Sequence, residues 1–513
     1  MDRRGIRASD GLVERAVASL PVVVVGLVAF AVYMRTLLPG MAFGDWGEMQ
    51  TVPRVLGITH PTGYPTYVLI GWLAQHLPVG SVAFRANLLS AVLVGAALAV
   101  TVAILLRLGV RPLIAVAAAL SLGAVRTVWS VATVAEVNAL HLLFVALLLH
   151  RALVWEDERR PRDLVLGGLL VGLSLGNHLL TLFVAPFVAI AAIWVGRRDI
   201  LARPWLLGAA AAAVVVGLAV YLYIPIAAAQ SPPLAYNDPV TLDAFLWLVG
   251  GTQFRGQFDF LSPAGPPQFV ASLPALWSLL VARATVIVPV VGLIGLVILG
   301  RRRPAFALAC GAIVLANLYI WSSYLRLEHY LLTTWLVLAI AGAAAVEALA
   351  GRVDRWKPAR SGGRLIGAAA LVFTVGLGAS NWTASDRSGD RSATAYVDAL
   401  FEALPTDAAI LSVWDASTPL WHAQVILDRR PDVLVVDDTD IVFDGWGTRE
   451  RRIASLVCER PVFILRLKDR ELVPTRDAYR LQPFLGVDIA FGTPSASGRS
   501  MVYRVMPDPT ECA

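Results

Sequence analysis

The sequence predicts an α-helical polytopic membrane protein, with about eleven spanning helices and a small extracytoplasmic α/β domain at its C-terminal end. Three observations predict this. Of 513 residues, 57% are hydrophobic and 16% charged, where a soluble domain carries roughly 25% charge; the mean hydropathy is +0.67. The cations stand in short arginine-rich clusters between apolar runs. Only beyond Asn381 does charge density rise and a strand-like pattern appear.

Apolar runs of spanning length fall near 18–38, 83–106, 113–131, 135–154, 164–178, 180–196, 205–226, 276–300, 304–322, 328–349 and 364–381. Cations cluster at Arg3/Arg4/Arg7/Arg15, Arg107/Arg111, Arg159/Arg160/Arg162, Arg197/Arg198/Arg203, Arg301–Arg303 and Arg352/Arg355/Lys357/Arg360. These are every second connection, so the positive-inside rule makes them cytoplasmic. The N-terminus is expected inside and the C-terminus outside. Pro21–Leu38 reads as an uncleaved first helix, because no small-residue cleavage site follows it. Leu164–Gly196 is too long for one span and has cations at both ends, so it reads as a hairpin turning outside at Asn177 and His178. Tyr64–Pro78 is about half of a comfortable span. Its ends, Tyr64, Tyr67, Trp72 and His76, suit an interfacial or re-entrant helix.

The 228–275 segment, with Pro232, Pro233, Pro239, Pro266 and Pro267 and an aromatic run through Phe245, Trp247, Phe254, Phe258 and Phe260, reads as an outer loop of short surface helices. Residues 1–381 form the expected membrane domain and 382–513 the α/β domain. Within the latter, Ala409–Val413 and Asp432–Val436 read as strands with a helical pattern at Pro419–Leu427 between them, the signature of a parallel pair. The net charge of +6 belongs to the orienting clusters, so no nucleic-acid partner is expected. The three cysteines lack metal-ligand spacing, and no metal site is assigned. Cys458 and Cys512 can pair if the tail lies outside, or remain two thiols.

The first outer segment carries the most chemistry: Gly44-Asp45-Trp46-Gly47-Glu48-Met49, then His60-Pro61-Thr62-Gly63-Tyr64-Pro65. Asp45 and Glu48, three apart, share one face of a helical turn. Two acids so placed can take a proton from an incoming hydroxyl or hold a divalent cation. The alternative is that Asp45 caps a short helix and Glu48 is its first-turn acid. The predicted topology brings other polar residues to the same outer level: Arg85 and Asn87, Glu136 and Asn138, Asn177 and His178, and Arg326, Glu328 and His329. Each alone suits a solvated helix end; together they outline a cavity. Arg326, or the imidazoles of His178 and His329, would suit a lipid phosphate there.

These motifs resemble a known family. Asp45-Trp46-Gly47-Glu48, Leu56 through Pro65, Arg85-Ala86-Asn87-Leu88-Leu89-Ser90-Ala91, Trp129, Ala135 through Leu140 and Gly172 through His178 follow in the family's order. In the tail, so do Leu404 through Ile410 and Arg430-Pro431-Asp432-Val433. The family was long catalogued as a domain of unknown function and includes the animal protein O-mannosyltransferase of plexin-type receptor domains. The resemblance implies a GT-C-like glycosyltransferase that uses polyprenyl-phosphate sugars, with the general base at Asp45 and Glu48 beside it. His60, Tyr64, Arg85, Asn87, Glu136, Asn138, Asn177, His178, Arg326 and His329 would then line the substrate site. Asn138 and Thr62 depart from the family's usual Tyr and small or Pro residue, which bears on substrate identity more than on reaction class.

The expected reaction is transfer of a sugar, mannose in the animal member, to the hydroxyl of a protein, glycan or lipid acceptor at the outer face of a bacterial plasma membrane. The lipid phosphate leaves already charged, so no general acid is required. A transporter or flippase of a lipid or lipid-linked sugar is the alternative. It would favour two similar halves and polar groups near the midplane, whereas these polar groups gather at one face.

Overall fold

The computed structural model describes residues 3–257, 265–324, 326–356, 362–490, 497–507 and 512, with side chains from residue 19 onward except at 256, 257, 490 and 497. The side chains of the N-terminal arginines, and Phe258, Phe260, Lys357 and Arg360, lie outside this set. The chain opens with α1 (Arg3–Arg35), α2 (Gly44–Val55), α3 (Pro65–Ala74) and α4 (Val82–Arg107). Next come α5 (Pro112–Ala124), α6 (Arg126–Ala132), α7 (Val137–Glu158), α8 (Pro161–Leu175) and α9 (Ala185–Ala202). Then α10 (Trp205–Leu218) runs through a tight turn into α11 (Tyr223–Ala228), followed by α12 (Leu242–Val249), α13 (Gly265–Ala284) and α14 (Ile287–Arg302). The helical part closes with α15 (Pro304–Ser323), α16 (Leu332–Trp356) and α17 (Gly362–Ser385).

Among the described residues, six helices are long and apolar enough to cross a membrane: α4, α7, α10 with α11, α15, α16 with its preceding turn, and α17. Two bent pairs, α5 with α6 and α13 with α14, bring the number to eight. Ser19–Arg35 of α1, together with α8 and α9, occupies the other three expected positions but falls short of that length or apolarity. The expected span at 276–300 needs correction. The chain turns by 108° between α13 and α14, with Thr285 in the left-handed region at φ 65°, so the run is two helices and not one straight span. The run at 113–131 is likewise bent, by 73°, between Ala124 and Arg126. The 164–196 hairpin and the short helix after Tyr64 are present. The hairpin's first arm packs on α10 through glycines, since a Cβ on Gly172 would collide with the backbone of Val214 and Gly217.

Beyond α17 come α18 (Ser392–Ala403), β1 (Ala409–Ser412), α19 (Trp414–Leu427), β2 (Leu434–Asp437), α20 (Asp438–Phe443), β3 (Val462–Leu465), β4 (Arg480–Ala490) and β5 (Ser497–Met506). The five strands form one sheet in the order β2-β1-β3-β5-β4. β1 pairs in parallel with β2, Ala409 facing Leu434, and with β3, Ala409 facing Val462. β5 runs antiparallel to β3 and β4. The predicted strand, helix and strand thus stand as β1, α19 and β2. Cys458 and Cys512 form a disulfide.

The core on one face of this sheet admits two residues from the far N-terminal part of the chain. Met41 and Phe43 are buried with Tyr396, Val397, Leu400, Ile410 and Phe463, and the Phe43 ring lies 5.4 Å from Tyr396. α2 follows at once and packs along α19, where Thr51 Oγ1 meets His422 Nδ1 at 2.9 Å. Gly47 allows the approach, because a Cβ there would press on the Thr418 side chain. Removing the Phe43 ring should therefore cost on the order of 3–5 kcal/mol. The expected result is a lower unfolding midpoint for purified Phe43→Ala; an unchanged melting curve would contradict this packing.

Candidate active site at the junction of the first outer loop and the α/β domain

α2 begins after Phe43, whose side chain makes no cap. Asp45 is in the first turn, favourable to the helix dipole, but it caps nothing. Its Oδ1 instead accepts a hydrogen bond from the Trp414 indole N–H at 2.7 Å. The Asp45 side chain is 61% exposed, whereas Glu48, one turn on, is 5% exposed. Burying a carboxylate demands a partner, and His60 supplies two: its backbone N–H donates to Glu48 Oε1 at 2.7 Å and its ring Nδ1 lies 2.5 Å from Oε2. The far ring nitrogen, Nε2, stands 4.0 Å from Asp45 Oδ2. An imidazole, not open space, therefore separates the two acids, which do not converge as a bare cation-binding pair.

Hydrogen bonding suits a ring protonated at both nitrogens: the Tyr64 hydroxyl lies 3.1 Å from the Pro61 carbonyl, to which it donates, and 3.2 Å from His60 Nε2, while Glu48 faces Nδ1. Electrostatics agree. Burial alone would lower the His60 pKa, but the Glu48 and Asp45 carboxylates outweigh it and push it up to about 9. Burial raises the Glu48 carboxyl above its ordinary value, although the imidazole pulls it part of the way back. Tyr64 itself sits at φ 38°, a strained conformation for a bulky residue and one that clusters at functional sites.

Glu136 caps α7 through the backbone N–H of Asn138, takes a second bond from the Asn138 amide at 2.9 Å, and accepts from the Trp46 indole at 2.9 Å. The Arg387 guanidinium lies over the Trp46 ring, 4.6 Å from its centre. On the other flank, the His178 ring is 5.8 Å from Tyr64 and 5.7 Å from Tyr330, which stacks on Tyr324. The outer loop closes the remaining side: Ile58 N–H donates to the Leu234 carbonyl, Tyr236 N–H to that of Ile58, and the Tyr236 ring meets His60 and Trp414.

Asp45, Glu48, His60, Tyr64 and His178 are thus linked in one chain of contacts, with Glu136 joined to it through Trp46. The other six expected site residues stand apart from this cluster or behind it. Asn87 is fully buried and ties Gln50, Ala135 and the Leu38 carbonyl together, so it shapes the loop. Arg85 bonds Gln75 and the carbonyls of Val79 and Gly80 at the turn before α4. Asn138 and Asn177 are buried, the former on Glu136 and the latter on the Val137 carbonyl, each with an unsatisfied amide oxygen. Arg326 is exposed over the Trp321 ring, and His329 lies beside Tyr330. His178 accepts a backbone bond from Leu180. Trp414, Tyr330 and Arg387 went unread. Arg387 offered the signal of a lone cation just past the last span; Trp414 offered none.

The fold of this helical bundle with its C-terminal α/β unit is shared with solved structures. ArnT from Cupriavidus metallidurans, bound to undecaprenyl phosphate, matches with TM-score 0.56 at 12% identity, over 94% of this chain and 97% of that one. AglB from Archaeoglobus fulgidus, an oligosaccharyltransferase in complex with an inhibitory peptide and a dolichol-phosphate, matches with TM-score 0.50 at 13% identity, over 80% of this chain and 64% of that one. In sequence, residues 45–200 match the family model of the protein O-mannosyl-transferase TMEM260 N-terminal domain. The mouse protein O-mannosyl-transferase TMEM260 is 26% identical over 444 residues, 81% of this chain, and that of Dictyostelium discoideum 26% identical over 211, or 38%. The chain spans 62% of the mouse protein's length and 26% of the Dictyostelium protein's. The family resemblance carried by the motifs is borne out.

The His60 pair makes a pH prediction. Its folded pKa stands above the ordinary 6.5, so the stability it contributes is fully present below that value and is lost as pH rises through about 9. Imidazole NMR of labelled protein should show one histidine titrating near that upper value and vanishing in His60→Asn. A His60 midpoint at or below the ordinary value would contradict the protonated ring.

Proposed function

We propose that the protein is a membrane glycosyltransferase that moves a sugar, mannose by analogy with its named relatives, from a polyprenyl-phosphate donor to an acceptor hydroxyl at the outer face. One observation carries this reading: of the two acids in the first loop, Glu48 is buried against His60, while Asp45 stays exposed. The named ligands of ArnT and AglB, undecaprenyl phosphate and dolichol-phosphate, support a lipid donor. Arginine clusters in alternate connections and the Cys458–Cys512 disulfide, a bond of oxidising compartments, support an outward-facing α/β domain.

In the reaction, the acceptor oxygen attacks the anomeric carbon as Asp45 takes its proton, and the bond to the lipid phosphate breaks with the electron pair leaving on phosphate. Trp414 fixes the Asp45 carboxylate through one oxygen and leaves the other toward the cavity. The positive ring of His60 faces the same carboxylate and orients it. The donor phosphate is assigned to Arg387, which makes no ion pair among the described residues and lies against Trp46 beside Glu136. A guanidinium there can hold two phosphate oxygens at once.

Asp45→Asn keeps the bond to Trp414 but removes the base, so transfer should fall roughly 10²–10⁴-fold with donor binding nearly intact. Glu48→Gln should be milder, because it acts through His60. Transfer by Asp45→Asn at the unsubstituted rate would move the base elsewhere and defeat this assignment.

A further inference from the structure

A cavity of about 310 Å³ opens beside Asp45 and His60, between the first outer loop, residues 233–237 and the α/β domain. The sheet topology delivers its far wall. Two of the three parallel strands end there: β1 leads into α19 with Trp414, Thr418 and Trp421, and β2 leads into α20 with Asp440 and Phe443. In open α/β sheets, ligands gather outside the carboxyl ends of the strands. Here that edge is turned toward the membrane site, and Trp414 belongs to both, holding Asp45 with its indole N–H while its ring lines the cavity.

The lining has a definite chemistry. Four aromatic rings, Tyr236, Trp414, Trp421 and Phe443, meet edge to face with centroids 5.0–5.7 Å apart. Against them stand Glu48, Asp440 and Thr418, whose hydroxyl is buried without a hydrogen-bond partner. No arginine, lysine or histidine is among the described lining residues. Glu48 is already paired with His60 behind the wall, but Asp440 has no cation beside it among the described lining residues, which disfavours a phosphate, nucleotide or acidic lipid headgroup. Aromatic faces beside acceptors of hydroxyl protons favour a compact, neutral, hydroxyl-rich ring, and the volume is at the small end of ligand sites. An extended peptide would seek an exposed strand edge, but the walls here are the helices that follow the strands.

We propose that this cavity is a saccharide subsite that holds a neutral sugar residue of the acceptor, so that the acceptor is a glycan. Naming the occupant as the acceptor rests on the transferase reading; the binding of a neutral sugar does not. Thr418 and Asp440 would take hydroxyl hydrogen bonds, and Trp421 would cover an apolar ring face. Held there, the sugar would offer a neighbouring hydroxyl to Asp45 across the Trp414 edge.

The test is saturation-transfer NMR on the full chain in nanodiscs, without donor, using D-glucose, D-mannose and D-galactose, with inorganic phosphate and a serine/threonine-rich peptide as separate arms. At least one hexose should bind saturably, and Trp421→Ala and Asp440→Asn should each weaken it roughly tenfold or more. Trp421→Phe should retain most of the binding, which separates loss of the ring from loss of the fold. Absence of hexose binding, binding equal in Asp440→Asn and unsubstituted protein, or binding of the peptide or phosphate arm alone would overturn the proposal. Hexose binding without transfer from any lipid donor would sink the transferase reading and leave the subsite standing.

Discussion

The burial of Met41 and Phe43 in the core of the α/β domain is the contact on which the rest of the site depends. These residues leave the first membrane helix and enter a hydrophobic core otherwise built more than three hundred residues later in the chain. Their insertion fixes the start of α2, and α2 presents Asp45 to Trp414 and Glu48 to His60. Without that anchor, a short polar helix at a membrane surface would have no fixed orientation. Gly47 against Thr418 and Thr51 against His422 continue the same seam.

Electrostatics then separate two chemically identical groups. Glu48 is withdrawn from water and bonded through both oxygens to one histidine, which consumes its capacity as a base. Asp45 keeps solvent access, one indole donor and a positive ring four ångströms away. Pairs of carboxylates whose surroundings differ this much take different roles. The cluster of rings around them, Tyr64, His178, Tyr330 and Tyr236, makes the cavity wall stiff and partly dry, where a charge acts more strongly than in water.

Much of this could be read from local pattern. Arginine clusters marked the connections, and the β1, α19 and β2 run showed the periods of strand and helix. The acids of the first loop stood out by their spacing. What local pattern could not show was pairing across long separations. Trp414 reaches Asp45 from 369 positions away, and no feature of its own neighbourhood marks it. Asn87 and Arg85 look like ligand-facing polar residues in sequence, yet their partners are backbone carbonyls and amides that only the folded loop brings near. The bend at Thr285 interrupts a run whose hydropathy is continuous. β4 hid behind Pro483, which the sheet tolerates because β4 is an edge strand with a register shift at that point.

The central claim, that this cavity breaks a lipid-phosphate sugar bond, is tested most directly by incubating the purified full chain with a panel of radiolabelled polyprenyl-phosphate sugars in liposomes. The label should leave the organic phase with at least one donor, appearing on an acceptor or slowly as free sugar, while unglycosylated polyprenyl phosphate accumulates. Label that stays on an intact lipid but moves to the opposite leaflet would contradict the account and identify a flippase.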